Sequence, residues 1–192
     1  KFNTQNVTDM VAMFRNCSSL TSLDLSNFNT SKVTSMGSMF IYCRNLTSLD
    51  LSSFNTENVK PMYAMFEHCS KLTELNLSSF DTKNVTNMGR MFYNCSSLTS
   101  LDLSNFDTKK VTDKTSMFAD WNSSQKVYIS SKWTLGTNFP PTFILMFTNI
   151  IAKYKFNQNT HESFIPTFNT DFTDYSYSDE IDTDGYTIRR LG

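Results

Sequence analysis

The chain has 192 residues, a net charge of −1 and 39% apolar side chains, with only 5 glycines. That composition belongs to an ordered protein and excludes the low-hydropathy, high-charge class of disordered chains. The near-neutral charge gives no basic surface suited to nucleic acid, and the longest apolar run, Phe143–Phe147 continuing raggedly to Ala152, is too short to cross a bilayer.

The chain opens on Lys1-Phe2-Asn3-Thr4, which matches the middle of a unit repeated downstream as Phe28-Asn29-Thr30. It therefore reads as part of something longer, and the lack of a visible secretory signal carries no information about compartment. From there one period governs the sequence. Cys17, Cys43, Cys69 and Cys95 fall 26 residues apart, as do Val7, Val33, Val59, Val85 and Val111, and Phe28, Phe54, Phe80 and Phe106. A fixed period of this length predicts stacked units rather than a globule, because one unit alone cannot bury its apolar face.

Four full copies run 7–32, 33–58, 59–84 and 85–110, and a degraded fifth runs 111–136. Within a copy two periodicities alternate. Met36, Met39, Phe40 and Cys43 fall at i, i+3, i+4 and i+7, which predicts a short helix, with Thr34 (and Thr8 and Thr86 elsewhere) as its N-cap and Pro61 in the first turn of the third copy. Leu49 and Leu51 alternate with Ser48, Asp50 and Ser52, which predicts a short strand. The Asn/Asp-Thr pair after each Phe is turn chemistry.

In the fifth copy Lys114 replaces Met, Trp121 replaces Cys and Ser124 replaces Leu, the polar pattern of a cap facing water. Beyond it, residues 137–192 change character. Pro140-Pro141, Tyr154-Lys155-Phe156, Tyr175-Ser176-Tyr177 and Asp184-Gly185 before Tyr186–Ile188 predict a small β-rich module with a hairpin.

The Leu20–Phe28 segment, LTSLDLSNF, resembles the strand motif of leucine-rich repeats. With its V-T-x-M-x-x-M-F-x-x-C half, the unit is similar to the BspA-like 26-residue repeats of bacterial surface proteins, found also in mycoplasma lipoproteins. The resemblance covers about residues 1–136. It departs where the usual turn asparagine is Phe, so a phenylalanine spine would replace the asparagine hydrogen-bond ladder. The expected fold is a right-handed α/β solenoid of leucine-rich-repeat type, with one strand and one helix per repeat over 1–136 and a β-rich extension over 137–192. Strands packed more tightly than helices would bend it into an arc. The resemblance also implies an extracellular, cell-surface or secreted location.

No catalytic, metal or cofactor constellation emerges. Helix packing at roughly 8–10 Å would hold successive cysteines beyond disulfide reach, and no C-x-x-C pair exists. His68 adjoins Cys69, but its equivalents Asn16, Tyr42 and Asn94 mark an outward, variable slot. Asp182-x-Asp184-Gly185 lacks the closing acid of a calcium loop.

Two surfaces are candidates for binding. On the strand face, Ser22, Asp24, Ser48, Asp50, Glu74, Asn76, Ser100, Asp102 and Tyr128 would form a lattice of hydroxyls and carboxylates, read first as solvated and self-bonded. On the helical face, Tyr42, Tyr63, Arg90 and Tyr93 occupy the most variable columns and are residue types of interface hot spots. The expected function is non-catalytic recognition or adhesion, with protein or glycan on a host or neighbouring cell as partner. The alternatives are a purely structural stalk, or the non-catalytic part of a larger surface enzyme.

Overall fold

The computed structural model describes residues 3–121, 125–129, 132 and, as backbone, 187–190. Its strands are β1 (Ser48–Asp50), β2 (Glu74–Asn76), β3 (Ser100–Leu103), β4 (Lys126–Ile129) and β5 (Thr187–Arg190). All pairing is parallel, and β1–β2 and β3–β4 keep the 26-residue register of the sequence: Leu49 lies opposite Leu75, and Leu101 opposite Val127. β1 and β2 form one sheet, and β3, β4 and β5 a second. Each copy of the repeat is thus one rung laid against the next. Strands form here because every second side chain, such as Leu49 or Leu101, is buried while its neighbours face water.

The segment expected to be helical is not. Among the described residues there is no helix; 36–43 and its equivalents are chains of turns. In each rung two residues four apart have positive φ: Ala12 and Asn16, Ser38 and Tyr42, Ala64 and His68, Arg90 and Asn94, Ser116 and Asp120, all between 52° and 62°. Alternate amides leave the rung altogether. The N–H groups of Ala12, Phe14 and Asn16 donate to the carbonyls of Gly37, Met39 and Ile41 at 2.9–3.0 Å, and the pattern continues through Asn94 to Ala119. The amides between them close tight turns, as from Arg15 to the Ala12 carbonyl at 3.0 Å.

The physical reason is spacing. Helices pack roughly 8–10 Å apart, whereas strands stack at about 4.8 Å, so a helix layer would need the rungs to splay on that side, while the rung-to-rung bonds of the turns hold them together. A turn ladder stacks at the strand spacing. It also meets the i, i+3, i+4, i+7 pattern, since Met36, Met39, Phe40 and Cys43 are all fully buried. The expected N-caps change role accordingly: the Thr34 amide and hydroxyl both donate to the Thr8 carbonyl of the previous rung, at 2.8 and 3.1 Å. Without helices, the argument for an arc loses its premise.

The interior is built of columns. Phe14, Phe40, Phe66, Phe92 and Phe118 stack at 5.5–5.7 Å with nearly parallel rings. Phe28 stacks on Phe54, and Phe80 on Phe106, at 6.5 Å. The hydrogen-bond ladder beside this second column comes from threonine. Buried Thr30, Thr56 and Thr82 each accept from the amide of Asn55, Asp81 or Asp107 in the next rung and donate to the same residue's carbonyl. Neutral thiols form a third column: Cys43, Cys69 and Cys95 donate to the carbonyls of Phe14, Phe40 and Phe66 at 3.1–3.3 Å. The cysteines are free, but not for the distance reason expected, because hydrogen-bonded rungs bring them closer than packed helices would.

The fifth rung keeps these roles with other groups. Trp121 Nε1–H replaces the thiol and donates to the Phe92 carbonyl at 2.8 Å, while Gln125 reaches the Cys95 and Leu98 carbonyls. Lys114, expected to face water, is instead 7% exposed and donates to the Val111 carbonyl at 2.9 Å. Of residues 137–192, only β5 is described. It pairs in parallel with β4, Val127 opposite Ile188. Ser124, the Pro140-Pro141, Tyr154–Phe156 and Tyr175–Tyr177 stretches, and the hairpin expected around Asp184-Gly185 lie outside the described residues, as does Asp182.

Candidate recognition surface

Column 16, 42, 68, 94, 120, one of the two positive-φ positions in each rung, places an exposed or half-buried side chain per rung on the turn face. In rungs two and three these side chains meet, and Tyr93 of rung four joins them from the adjacent column. Tyr42 stacks on His68 with ring centroids 4.8 Å apart and planes 15° off parallel. His68 meets Tyr93 edge-on at 5.2 Å and 74°. A guanidinium covers each end: Arg44 lies 5.3 Å from the Tyr42 ring centre, and Arg90 lies 4.3 Å from that of Tyr93.

Arg90 is fixed from below. Its Nε and Nη2 donate to the two carboxylate oxygens of Glu67 at 3.0 and 2.6 Å, and Glu67 is only 3% exposed. A fork of this kind sets the guanidinium plane as well as its position. It also raises the Arg90 pKa further. His68 Nε2 lies 3.7 Å from the same carboxylate. The His68 pKa nevertheless falls below 6.5, since partial burial outweighs Glu67, and Arg44 and Arg90 add to the depression. The imidazole is thus mainly neutral near pH 7. At the C-terminal end Asp120 bonds Tyr93, raising the phenol pKa, and accepts weakly from Asn94 at 3.4 Å.

Of the four residues expected on this face, Tyr42, Arg90 and Tyr93 are joined in this ladder. Tyr63 stands apart in the neighbouring column, where its ring lies against the backbone of Gly37. A Cβ at Gly37 would come within 2.3 Å of that ring, so the glycine is what admits the tyrosine. Sequence reasoning missed Arg44, Glu67 and His68. The available signal was the place of Glu67 and His68 in the variable columns, one rung from Tyr42 and from Tyr93, and of Arg44 two residues after Tyr42.

The strand face is different. Ser22, Asp24, Ser48, Asp50, Glu74, Asn76, Ser100 and Asp102 are all exposed. The Asp and Asn side chains are engaged locally: Asp24, Asp50, Asn76 and Asp102 each accept from the amide two residues on, at 2.9–3.0 Å. That bond, with the Ser52 hydroxyl, holds the Asp50 carboxyl below its usual range despite repulsion from Asp24. Tyr128 lies in β4, and its side chain is outside the described residues.

Two stretches of the chain, residues 1–76 and 43–164, match the family model described as "Mycoplasma protein of unknown function, DUF285". The chain belongs to this family. It is a family associated with mycoplasma surface repeat proteins. No curated protein and no solved structure matches the chain. In this DUF285 chain no group of three or more His, Cys, Asp or Glu side chains could hold a metal among the described residues. The His68–Cys69 neighbours do not cooperate either. Cys69 is fully buried with its thiol pKa pushed well up by desolvation, while His68 lies in the outward ladder.

Proposed function

We propose that the chain is a non-catalytic recognition module at a cell surface, built as a right-handed solenoid of the BspA-like, leucine-rich-repeat type. Its partner is a protein or glycan on a host or neighbouring cell. The observation that carries the reading is the turn-face ladder of Tyr42, His68 and Tyr93 between two guanidiniums. It occupies the columns where the repeats differ most, while the strand-face carboxylates are tied into their own turns. A stalk needs uniform rungs; this surface instead concentrates Tyr and Arg, the residues that dominate binding energy. The extracellular address rests on the resemblance to surface repeat proteins and on the family's association with them.

The test uses the labelled chain on intact target cells. Saturable binding is expected, and alanine at Tyr42, Tyr63, Arg90 and Tyr93 together should reduce it severalfold in a variant that still melts cooperatively. Non-saturable binding, or undiminished binding by the folded variant, would favour the stalk instead.

A further inference from the structure

We propose that His68 is a proton-operated joint in the turn face: on taking up a proton its imidazole competes with Arg90 for the buried Glu67 carboxylate and weakens the tie between the third and fourth rungs. The device lies within the ladder and does not depend on what the ladder meets.

The geometry is one buried acceptor with two claimants. The Glu67 side chain is 4% exposed; its Oε1 accepts from Arg90 Nη2 at 2.6 Å and also lies 3.7 Å from His68 Nε2, while Oε2 accepts from Arg90 Nε at 3.0 Å. With a neutral imidazole, only Arg90 brings a charge to this carboxylate. An imidazolium carries an N–H on both nitrogens, so after protonation Nε2 is a donor whichever tautomer preceded it. The acceptor beside it is Oε1, the oxygen that already holds the shorter Arg90 bond.

The surroundings make the two cations rivals. The charged and titratable groups around the imidazole are Tyr42 and Arg44 of rung two, Glu67 beside it, Arg90 and Tyr93 of rung four and Asp120 of rung five. While the ring is neutral, two guanidiniums are balanced by two carboxylates; a proton adds a third positive charge with no counterpart. Asp120 is already engaged by Tyr93 and Asn94, which leaves Glu67 to answer that charge. His68 has little room to retreat. Its backbone sits at a φ of 60°, its amide donates to the Tyr93 carbonyl at 2.8 Å, and its ring is held by Tyr42 and Tyr93. Arg90 is the partner that can yield, because its side chain is 49% exposed and water can take up the N–H groups that Glu67 releases.

The three parts coincide at one place in the array. The positions equivalent to His68 hold Asn16, Tyr42, Asn94 and Asp120, those equivalent to Glu67 hold Arg15, Ile41, Tyr93 and Ala119, and those equivalent to Arg90 hold Ala12, Ser38, Ala64 and Ser116. Only the third and fourth rungs bring an imidazole, a carboxylate and a guanidinium together. Burial, aided by the two guanidiniums, holds the folded imidazole below 6.5, so the unfolded chain takes the proton first as pH falls. The stability lost in this way is absent above about pH 6.5 and grows below it.

Proton NMR of the whole chain follows the His68 titration, and His68→Asn identifies its signal against that of His161. That variant suits the backbone, since Asn16 and Asn94 adopt the same left-handed conformation, with φ of 60° and 54°. Arg90→Gln should raise the His68 pKa by about half a unit or more, roughly a threefold gain in proton affinity. By reciprocity, urea unfolding should show Arg90→Gln lowering the folding constant roughly threefold more at pH 7.5 than on the acid side of the titration. In a His68→Asn background that difference should vanish. In the unaltered chain the Arg90 Nε resonance should shift with the His68 midpoint. An Arg90 resonance indifferent to that midpoint, a His68 pKa unmoved or lowered by Arg90→Gln, or the same pH dependence with and without His68 would overturn the joint.

Discussion

Lys114 occupies the column filled by Met10, Met36, Met62 and Met88 in the other rungs, and its buried ammonium donates to the Val111 carbonyl. Burial pushes its pKa from 10.5 down to about 8, only partly opposed by Asp113. The folded chain therefore binds this proton less tightly than the unfolded chain. Below about pH 8 both states hold the proton, and the cost of burying the charge is present in full. Between about 8 and 10.5 the unfolded state holds more of it, so stability rises with pH. Lys114→Met should stabilise the chain by on the order of 1 kcal/mol or more at neutral pH, and should remove that alkaline rise. Urea unfolding near neutral and near pH 10 reads both effects; a variant no more stable at neutral pH would show that the ammonium is well accommodated. The threonine column makes the complementary point about buried polarity. Thr56 is 1% exposed yet satisfied twice over by Asp81 of the next rung, so its hydroxyl adds a tie between rungs where Lys114 adds a cost.

At the scale of the element, the turn ladder shows how far the repeat was legible and where it was not. Leu49 alternating with Ser48 and Asp50 has one physical reading, and β1 lies there. The Met36–Cys43 pattern has two, because a fourfold apolar spacing suits a helix and also a turn chain with a left-handed residue at every fourth position. Deciding between them needs the distance to the next rung, which a single unit does not carry. On the turn face the tyrosines and Arg90 could be singled out by type, but Glu67 could not, since its role depends on Arg90 reaching back one rung. Ala64 separates the two conformations by mutation. Its φ is 52°, where a side chain is strained, and its methyl is buried. In a helix, Ala→Gly costs roughly 1 kcal/mol. Here Ala64→Gly should be near neutral or stabilising, while Ala64→Val should cost about 1–2 kcal/mol because a β-branched residue tolerates that region least. Thermal melts of the pair give the answer; a loss of stability for Gly of the helical size would restore the helix.

Across the whole molecule, the columns decide whether the rungs behave as one unit. The strand ladder is divided between β2 and β3, but the other ladders cross that division. Met62 and Ala64 donate to the carbonyls of Asn87 and Gly89, Thr82 holds Asp107, and the Cys95 thiol donates to the Phe66 carbonyl. Nearest-neighbour ties of this kind couple the opening of one rung to that of the next. Thiols report on this directly. Cys17, in the first rung, is partly exposed, while Cys43, Cys69 and Cys95 are fully buried. Burial raises the Cys43 thiol to about 11 and pushes Cys69 and Cys95 up as well, so the thiolate that attacks a disulfide reagent is scarce at all three. In native buffer one thiol per chain, Cys17, should react promptly with a charged aromatic disulfide. The remaining three should react together, at a rate that rises with urea in parallel with global unfolding. Mass mapping of the labelled cysteines tells the outcomes apart. Prompt reaction of Cys95 while Cys43 stays protected would place an independent opening at the β2–β3 division, and four equal native rates would mean that the thiol column is not interior at all.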